Sequence, residues 1–189
     1  MKIALTGAAS TGKSTLAREL MKAPELKEVL KTHLNIDARK IQEEMGERSI
    51  DQMSSKKLQE FQMRYFFQKK QMEKDLDFYI VERSFIDIAV YWILRDAKYE
   101  NELIKQKVVD ECKTESERYD LHIFLPFGVI QFENDGYRSL NIKSHYEFSE
   151  TVKYYLKEWK LEFIELNSND LGEKTSMAVK KILSYYRNI

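Results

Sequence analysis

The sequence is short of the features that mark several protein classes. Its 189 residues include one cysteine, Cys112, so no internal disulfide can form, and we expect a structural thiol in a reducing cytoplasm. The three histidines lack metal-ligand spacing, which argues against a zinc site. No apolar run approaches the length of a membrane span, and residues 2–6 are too short for the core of a signal peptide. A membrane protein is therefore not expected.

An excess of one charge is also missing. Acidic and basic residues number 31 each, giving a formal net charge of zero. A general nucleic-acid binder would show a basic excess, so the composition argues against nucleic acid as a partner. The length fits a single domain over residues 1–189, and a homodimer is one assembly compatible with it.

One short motif organises the chain. It fits the phosphate-binding pattern G-x-x-x-x-G-K-[ST] and consists of Gly7, Ala8, Ala9, Ser10, Thr11, Gly12, Lys13, Ser14 and Thr15. The two glycines allow the backbone to wrap a phosphate closely, and inward N–H groups form an anion nest. Lys13 is expected to contact the β- and γ-phosphates and Ser14 to bind Mg²⁺. A buried strand before the motif and a helix after it give the context that the motif needs.

Strands and helices alternate along the chain. The predicted strands cover residues 2–6, 34–36, 78–81, 121–125 and 162–166. The predicted helices cover the segment after the loop up to Pro24, then 25–33, 37–46, 54–76, 86–94, 101–118, 146–160 and 174–186. This order predicts an α/β P-loop NTPase fold: a five-stranded parallel sheet with helices on both faces.

Ligands of such folds bind at the carboxyl ends of the strands, so the residues there are candidates for chemistry. Asp37 follows the second strand and is a candidate to accept a proton from an attacking hydroxyl or to help hold the metal; a plain helix N-cap is the alternative. Glu82 follows the third strand as a candidate Mg²⁺ ligand, and Arg83 as a phosphate ligand. A structural ion pair is the alternative for these two.

The segment 127–145 after the fourth strand is predicted to be an irregular lid. Gly128 and Gly136 are candidate hinges, the segment has few strong apolar anchors, and Arg138 is its single arginine. A lid arginine can close onto the transferring phosphoryl group, whereas an ordinary surface arginine is the alternative.

Aromatic residues on the long third helix have two interpretations. Phe61 and Tyr65 are candidates to stack on a nucleobase, with Gln62 and Gln68 as base readers. Core packing at helical spacing explains the aromatic residues as well and is favoured.

These motifs together resemble the P-loop ATPase and kinase-like domains related to the nicotinamide ribonucleoside kinase domain. The resemblance covers nearly the whole chain. Besides the loop, the matching segments are Asp37-Ala38-Arg39 through Gly46, Glu82-Arg83 with Asp87 and Tyr91, Tyr119-Asp120, Pro126, and Asp135-Gly136-Tyr137-Arg138. The family often has Glu in place of Asp37 and Asp in place of Glu82, and the run Glu82-Arg83-Ser84 looks like that of deoxynucleoside kinases.

The resemblance implies an ATP- and Mg²⁺-dependent kinase acting on a small acceptor, a nucleoside or nucleotide. Lys13, Asp37, Arg83 and Arg138 would be catalytic, Ser14 and Glu82 would hold the metal, and the acceptor would meet Asp37, Arg39, Phe61, Gln62, Tyr65 and Arg83. A regulatory NTPase remains an alternative, although the Asn-Lys-x-Asp and Asp-x-x-Gly motifs of GTPases and an Asp-Glu strand end do not occur. The other alternative is a kinase acting on a hydroxyl within a polynucleotide.

Overall fold

The computed structural model describes residues 1–95, 102–132 and 141–187. Within them, five parallel strands form one sheet in the order β2-β3-β1-β4-β5. The strands are β1 (Lys2–Thr6), β2 (Thr32–Leu34), β3 (Tyr79–Glu82), β4 (Leu121–Phe124) and β5 (Phe163–Glu165). Because β1 is central, the loop that follows it leaves from the middle of the carboxyl edge. The predicted five-stranded parallel sheet is confirmed.

The described residues form seven α-helices, which cover both faces of the sheet. They are α1 (Lys13–Lys22), α2 (Ala38–Glu44), α3 (Ser55–Met72), α4 (Phe85–Leu94), α5 (Glu102–Ser116), α6 (Ile142–Glu158) and α7 (Leu171–Tyr186). None of these helices has the length and apolar character needed to cross a membrane.

Alternation along the central strand accounts for the two layers. Ile3 and Leu5 pack into a core formed with α1 and α7, whereas Ala4 faces a core formed with α3, α4 and α5. Cys112 of α5 is fully buried in the second core, and burial raises the pKa of its thiol. A buried, protonated thiol agrees with the structural role expected for this cysteine.

The prediction of a helix over residues 25–33 is wrong. Only a 3₁₀ turn, Pro24–Leu26, forms there. Strand β2 begins at Thr32, two residues before the predicted strand, and includes His33. The apolar residues that gave the helical spacing are buried in an irregular turn. Parallel pairing of Thr32–Leu34 with β3 overrides the local helix preference.

Two helices begin earlier than the sequence indicated, each at a side-chain cap. Asn141 accepts a hydrogen bond from Ser144 N at 3.2 Å, so α6 starts at Ile142 and residues 142–145 of the predicted lid are helical. Asp170 caps α7 in the same way. Residues 127–132 are irregular as predicted, and residues 133–140, with Gly136 and Arg138, lie outside the described part of the chain.

Aromatic contacts anchor the described ends of the predicted lid segment. The Phe127 ring stacks on His145 with 5.1 Å between centroids and meets Tyr146 edge-on at 4.9 Å. Phe132 lies 5.2 Å from the His145 ring. The segment therefore has more anchoring than its sequence indicated.

Candidate active site

Two glycines shape the loop between β1 and α1. Gly7 has a φ of 136° and Gly12 a φ of 85°, both in the range that favours glycine. A Cβ on Gly7 would lie 2.3 Å from the carbonyl oxygen of Leu125, so the chain after β4 leaves no room for a side chain there. The loop lines a cleft of about 260 Å³ at the carboxyl edge of the sheet.

Positive charge is concentrated at this loop. Lys13 Nζ donates to the carbonyl oxygens of Gly7, at 2.9 Å, and Ala8, and to Thr11 Oγ1 at 3.1 Å. Helix α1 begins without a side-chain cap and without an acidic residue in its first turn. No residue of the helix itself therefore neutralises its positive end, which is the environment that binds phosphate at helix N-termini.

Glu82 faces the loop from the end of β3. Its Oε2 accepts a hydrogen bond from the Ser14 hydroxyl, and its Oε1 lies 3.0 Å from His33 Nε2. Burial raises the pKa of this carboxyl, but the His33 and Ser14 hydrogen bonds and the Lys13 charge outweigh burial, so the pKa is lower than usual. Glu82 is thus held ionised next to the Ser14 hydroxyl.

Asp87 joins the loop to helix α4. Its carboxylate accepts hydrogen bonds from Thr6 Oγ1 at 2.7 Å, Gly7 N at 3.0 Å and Ser84 N at 2.7 Å. With the Ser84 side chain it forms a capping box at the start of α4. Asp87 therefore has a structural function that positions the loop relative to α4.

Arg83 occupies a strained turn between β3 and α4. Its φ of 66° is unusual for a residue with a side chain. Lys69 Nζ, which is fully buried, donates to the Arg83 carbonyl at 2.6 Å and pairs with Glu73 Oε1 at 2.5 Å. Glu73 Oε2 in turn accepts hydrogen bonds from the hydroxyls of Tyr79 at 2.9 Å and Tyr119 at 2.8 Å. This buried network supports the turn that carries both Glu82 and Arg83.

A second cleft of about 650 Å³ adjoins the first. The two clefts share Ala9, Ser14, Asn35 and Arg83 as lining residues. The larger one extends between α2, α4 and α6. Asp37 lines it and also caps α2, accepting from the backbone N–H groups of Arg39 at 3.0 Å and Lys40 at 3.3 Å. The N-cap interpretation of Asp37 and its position at a cleft therefore both hold.

The structure brings together most, but not all, of the predicted site residues. Asp37, Arg39 and Arg83 line the larger cleft, and residues 9–15 with Glu82 and Arg83 line the smaller one. Neither cleft is lined by Phe61, Gln62 or Tyr65, which are buried. Phe61 and Tyr65 belong to the core formed with α4 and α5, so core packing replaces the base-stacking interpretation. Arg138 lies outside the described residues.

Four residues at or behind the clefts were missed from the sequence. His33 was hidden by the incorrect helix, and Lys69 sits in a charged stretch that reads as surface. Gln42 lines the larger cleft, only 3% exposed, and its Oε1 has no hydrogen-bond partner in the described structure. Arg95 ends α4 on the same cleft. Helical spacing from Asp87 and Tyr91 was the available signal for Arg95.

Fold and loop together define a P-loop NTPase-type domain. A family model described as an AAA domain matches residues 2–174, and the chain belongs to that family. Among curated proteins, none matches this sequence.

Solved structures show the same fold. NadR crystallised with NR is 21% identical with a TM-score of 0.67, over 97% of this chain and 51% of NadR. A NadR complex with NAD and AMP-PNP is 20% identical, with a TM-score of 0.62 over 97% of this chain and 49% of NadR. Deoxyadenosine kinase from M. mycoides with its products dCMP and dCDP is 17% identical, with a TM-score of 0.69 over 97% and 99% of the chains. The present chain thus spans about half of NadR.

Proposed function

We propose that this protein is a phosphotransferase that moves the γ-phosphoryl group of ATP to a small acceptor, a nucleoside or nucleotide. The observation that carries the proposal is the pair of adjoining clefts. One is lined by the phosphate loop, and the other, at about 650 Å³, is large enough for a nucleoside-sized molecule. A switch NTPase has no need of the second cleft.

The smaller cleft suits the donor. Lys13 and the N-terminus of α1 would neutralise the β- and γ-phosphates, while the loop N–H groups would orient them. Ser14 and the ionised Glu82 supply oxygen ligands of the type Mg²⁺ prefers, and two protein ligands fit an ion that keeps several waters and phosphate oxygens. Bound Mg²⁺ would offset charge on the phosphates.

Asp37 is proposed to act on the acceptor side. It lies in the wall of the larger cleft, where its carboxylate can orient or deprotonate an acceptor hydroxyl. Arg83 lines both clefts, which supports a contact with the group in transfer. Arg138 is proposed to close over the γ-phosphoryl from the lid. The buried single thiol fits a reducing compartment, and we place the enzyme in the cytoplasm.

The test is phosphate transfer measured against hydrolysis. Purified protein is incubated with ATP, Mg²⁺ and a panel of nucleosides and nucleotides, and acid-quenched products are separated. A phosphorylated acceptor, with slow hydrolysis in its absence, is expected. Lys13→Ala should abolish transfer with an unchanged circular dichroism spectrum, and Lys22→Ala, an exposed lysine on the same helix, serves as the control.

Three outcomes distinguish the alternatives. ATP hydrolysis at a normal enzymatic rate that no acceptor stimulates would favour a regulatory NTPase. Transfer to an oligonucleotide but to no mononucleotide would favour the polynucleotide kinase. Unchanged turnover in Lys13→Ala would remove the assignment of the phosphate loop.

A further inference from the structure

We propose that the acceptor carries an anionic group, a phosphate ester or a carboxylate, which binds at Arg95 and Arg83 on the α4 wall of the larger cleft. This inference rests on the proposed phosphotransferase function and names the chemical class of its acceptor. A neutral nucleoside would then be the poorer substrate and its monophosphate the better one.

The two guanidinium groups share one aromatic ring. Arg95 Cζ lies 4.6 Å from the centroid of the Tyr91 ring, and Arg83 Cζ lies 5.7 Å from it. All three residues line the larger cleft. Contact with the same ring places two like charges on one wall of the cleft. Asp87 compensates the charge of Arg83, and an anion bound at Arg95 would compensate the other.

Both guanidinium groups have unused hydrogen-bonding capacity. Nη1 of Arg83 and Nη1 of Arg95 are buried, and neither has a hydrogen-bond partner in residues 1–95, 102–132 and 141–187. Buried polar atoms without partners are rare in folded proteins, and two of them on one cleft wall call for an explanation. A ligand with several acceptor oxygens would give each Nη1 atom a hydrogen-bond partner after a small rotation of the guanidinium group.

Acidic groups around the cleft do not satisfy these arginines. Asp87 forms an ion pair with Arg83, but at 3.8 Å from Nη1 it is outside hydrogen-bond range, and its oxygens already accept three hydrogen bonds. Asp37 caps α2 through Oδ1, and no ion pair joins it to Arg83 or Arg95 in the described structure. Glu147 also lines the cleft, but no ion pair joins it to either arginine in the described structure. Arg39 adds a further positive charge to the lining.

Position separates this anion site from the donor phosphates. Arg83 lines both clefts, whereas Arg95 lines only the larger one. An anion held by Arg95 therefore belongs to the molecule in the acceptor cleft, with Arg83 between it and the phosphate loop.

The experiment measures both binding and turnover. Calorimetric dissociation constants and kcat/KM are determined for nucleosides and their 5′-monophosphates, with orotidine beside uridine and UMP so that a carboxylate is compared with a phosphate ester. The monophosphate, orotidine or both should bind at least tenfold more tightly than the neutral nucleoside. Arg95→Met should weaken anion binding roughly 10- to 100-fold, as expected for charge-assisted hydrogen bonds, and leave the KM for ATP unchanged.

Arg64→Met provides the matched control, since Arg64 is an exposed arginine paired with Glu60 on α3. Equal affinity for neutral and anionic members of each set, or an Arg95→Met protein that binds both as tightly as the wild type, would overturn the proposal. Tight binding of the anion without any phosphorylated product would instead refute the phosphotransferase function while leaving the anion site supported.

Discussion

Replacing Lys69 by methionine tests the buried network behind the active-site turn. The Lys69 side chain is 0% exposed and that of Glu73 5%, with 2.5 Å between Nζ and Oε1. Methionine has nearly the same length and no charge, so the variant removes the ammonium group and leaves little empty volume. Among the described residues, the tyrosine hydroxyls are then the side-chain partners that the buried carboxylate of Glu73 keeps.

The expected loss of stability follows from this burial. Removing one member of a buried ion pair costs about 3–5 kcal/mol, because an uncompensated charge remains. The Arg83 carbonyl also loses the Lys69 donor. A domain of this size has about 5–15 kcal/mol of stability, so the variant should still fold at 25 °C. Its melting temperature should fall by roughly 10 °C.

Three further variants isolate the charge: Lys70→Met, Glu73→Gln, and the double variant of Lys69 and Glu73. Lys70→Met, one residue along α3, removes a 40%-exposed lysine that pairs with Glu111 and Glu115, and should cost about 0–1 kcal/mol. The double variant Lys69→Met/Glu73→Gln keeps an acceptor for Tyr79 and Tyr119 but no charge. Its loss should be smaller than the sum of the single losses by about 2 kcal/mol.

Urea denaturation followed by tryptophan fluorescence and circular dichroism gives the free energies of unfolding. Turnover of Lys69→Met should also fall at temperatures where the variant is folded, because the Arg83 turn has lost its support. A loss below about 1 kcal/mol, or strict additivity in the double variant, would refute the reasoning.

Three other predictions concern single residues. Burial lowers the pKa of His122 to about 3. The unfolded chain gains a proton below about pH 6.5 and the folded one does not, so stability should fall by about 1.4 kcal/mol per pH unit as pH drops from 6.5. The lowered pKa of Glu82 adds a further loss only below about pH 4.5. Urea midpoints at pH 7, 6 and 5 should therefore fall less steeply for His122→Gln than for the wild type, and parallel curves would contradict this. Glu82→Gln should weaken the Mg²⁺ dependence, whereas Asp37→Asn, which can still cap α2, should lower kcat with little change in ATP affinity. The opposite pattern in titrations of Mg²⁺ and ATP would reverse the two roles. Arg138→Lys should reduce kcat substantially and ATP affinity less, since lysine cannot form a two-pronged phosphate contact; steady-state kinetics that match the wild type would exclude Arg138 from transfer.

The central part of the fold was predictable because its signals are local. Strands β1, β3 and β4 are buried on both faces and appear as short apolar runs. The phosphate loop has fixed spacing because each residue contacts the same anion. In contrast, β2 has three residues at the sheet edge, and only its pairing with β3 distinguishes it from a helix.

The acceptor cleft was less predictable, because tertiary convergence forms it. Gln42, Arg95 and Glu147 come from three helices far apart in the sequence, and no single stretch shows that they share a wall. The aromatic residues of α3 show the opposite problem. Phe61 and Tyr65 have the chemistry of base-stacking residues, but their helical face is directed into the core.

Helix α4 fixes the distance between the phosphate loop and the outer end of the larger cleft. Asp87 in its first turn is fastened to the phosphate loop, and Tyr91 and Arg95 follow at intervals of four residues. At 1.5 Å per residue, Arg95 is about 12 Å along the axis from Asp87. The separation between the donor loop and the outer arginine is therefore set by helix geometry and not by a flexible connection. Substitutions at the C-terminal end of α4 can therefore change which acceptor binds, while the first turn of the helix stays attached to the phosphate loop.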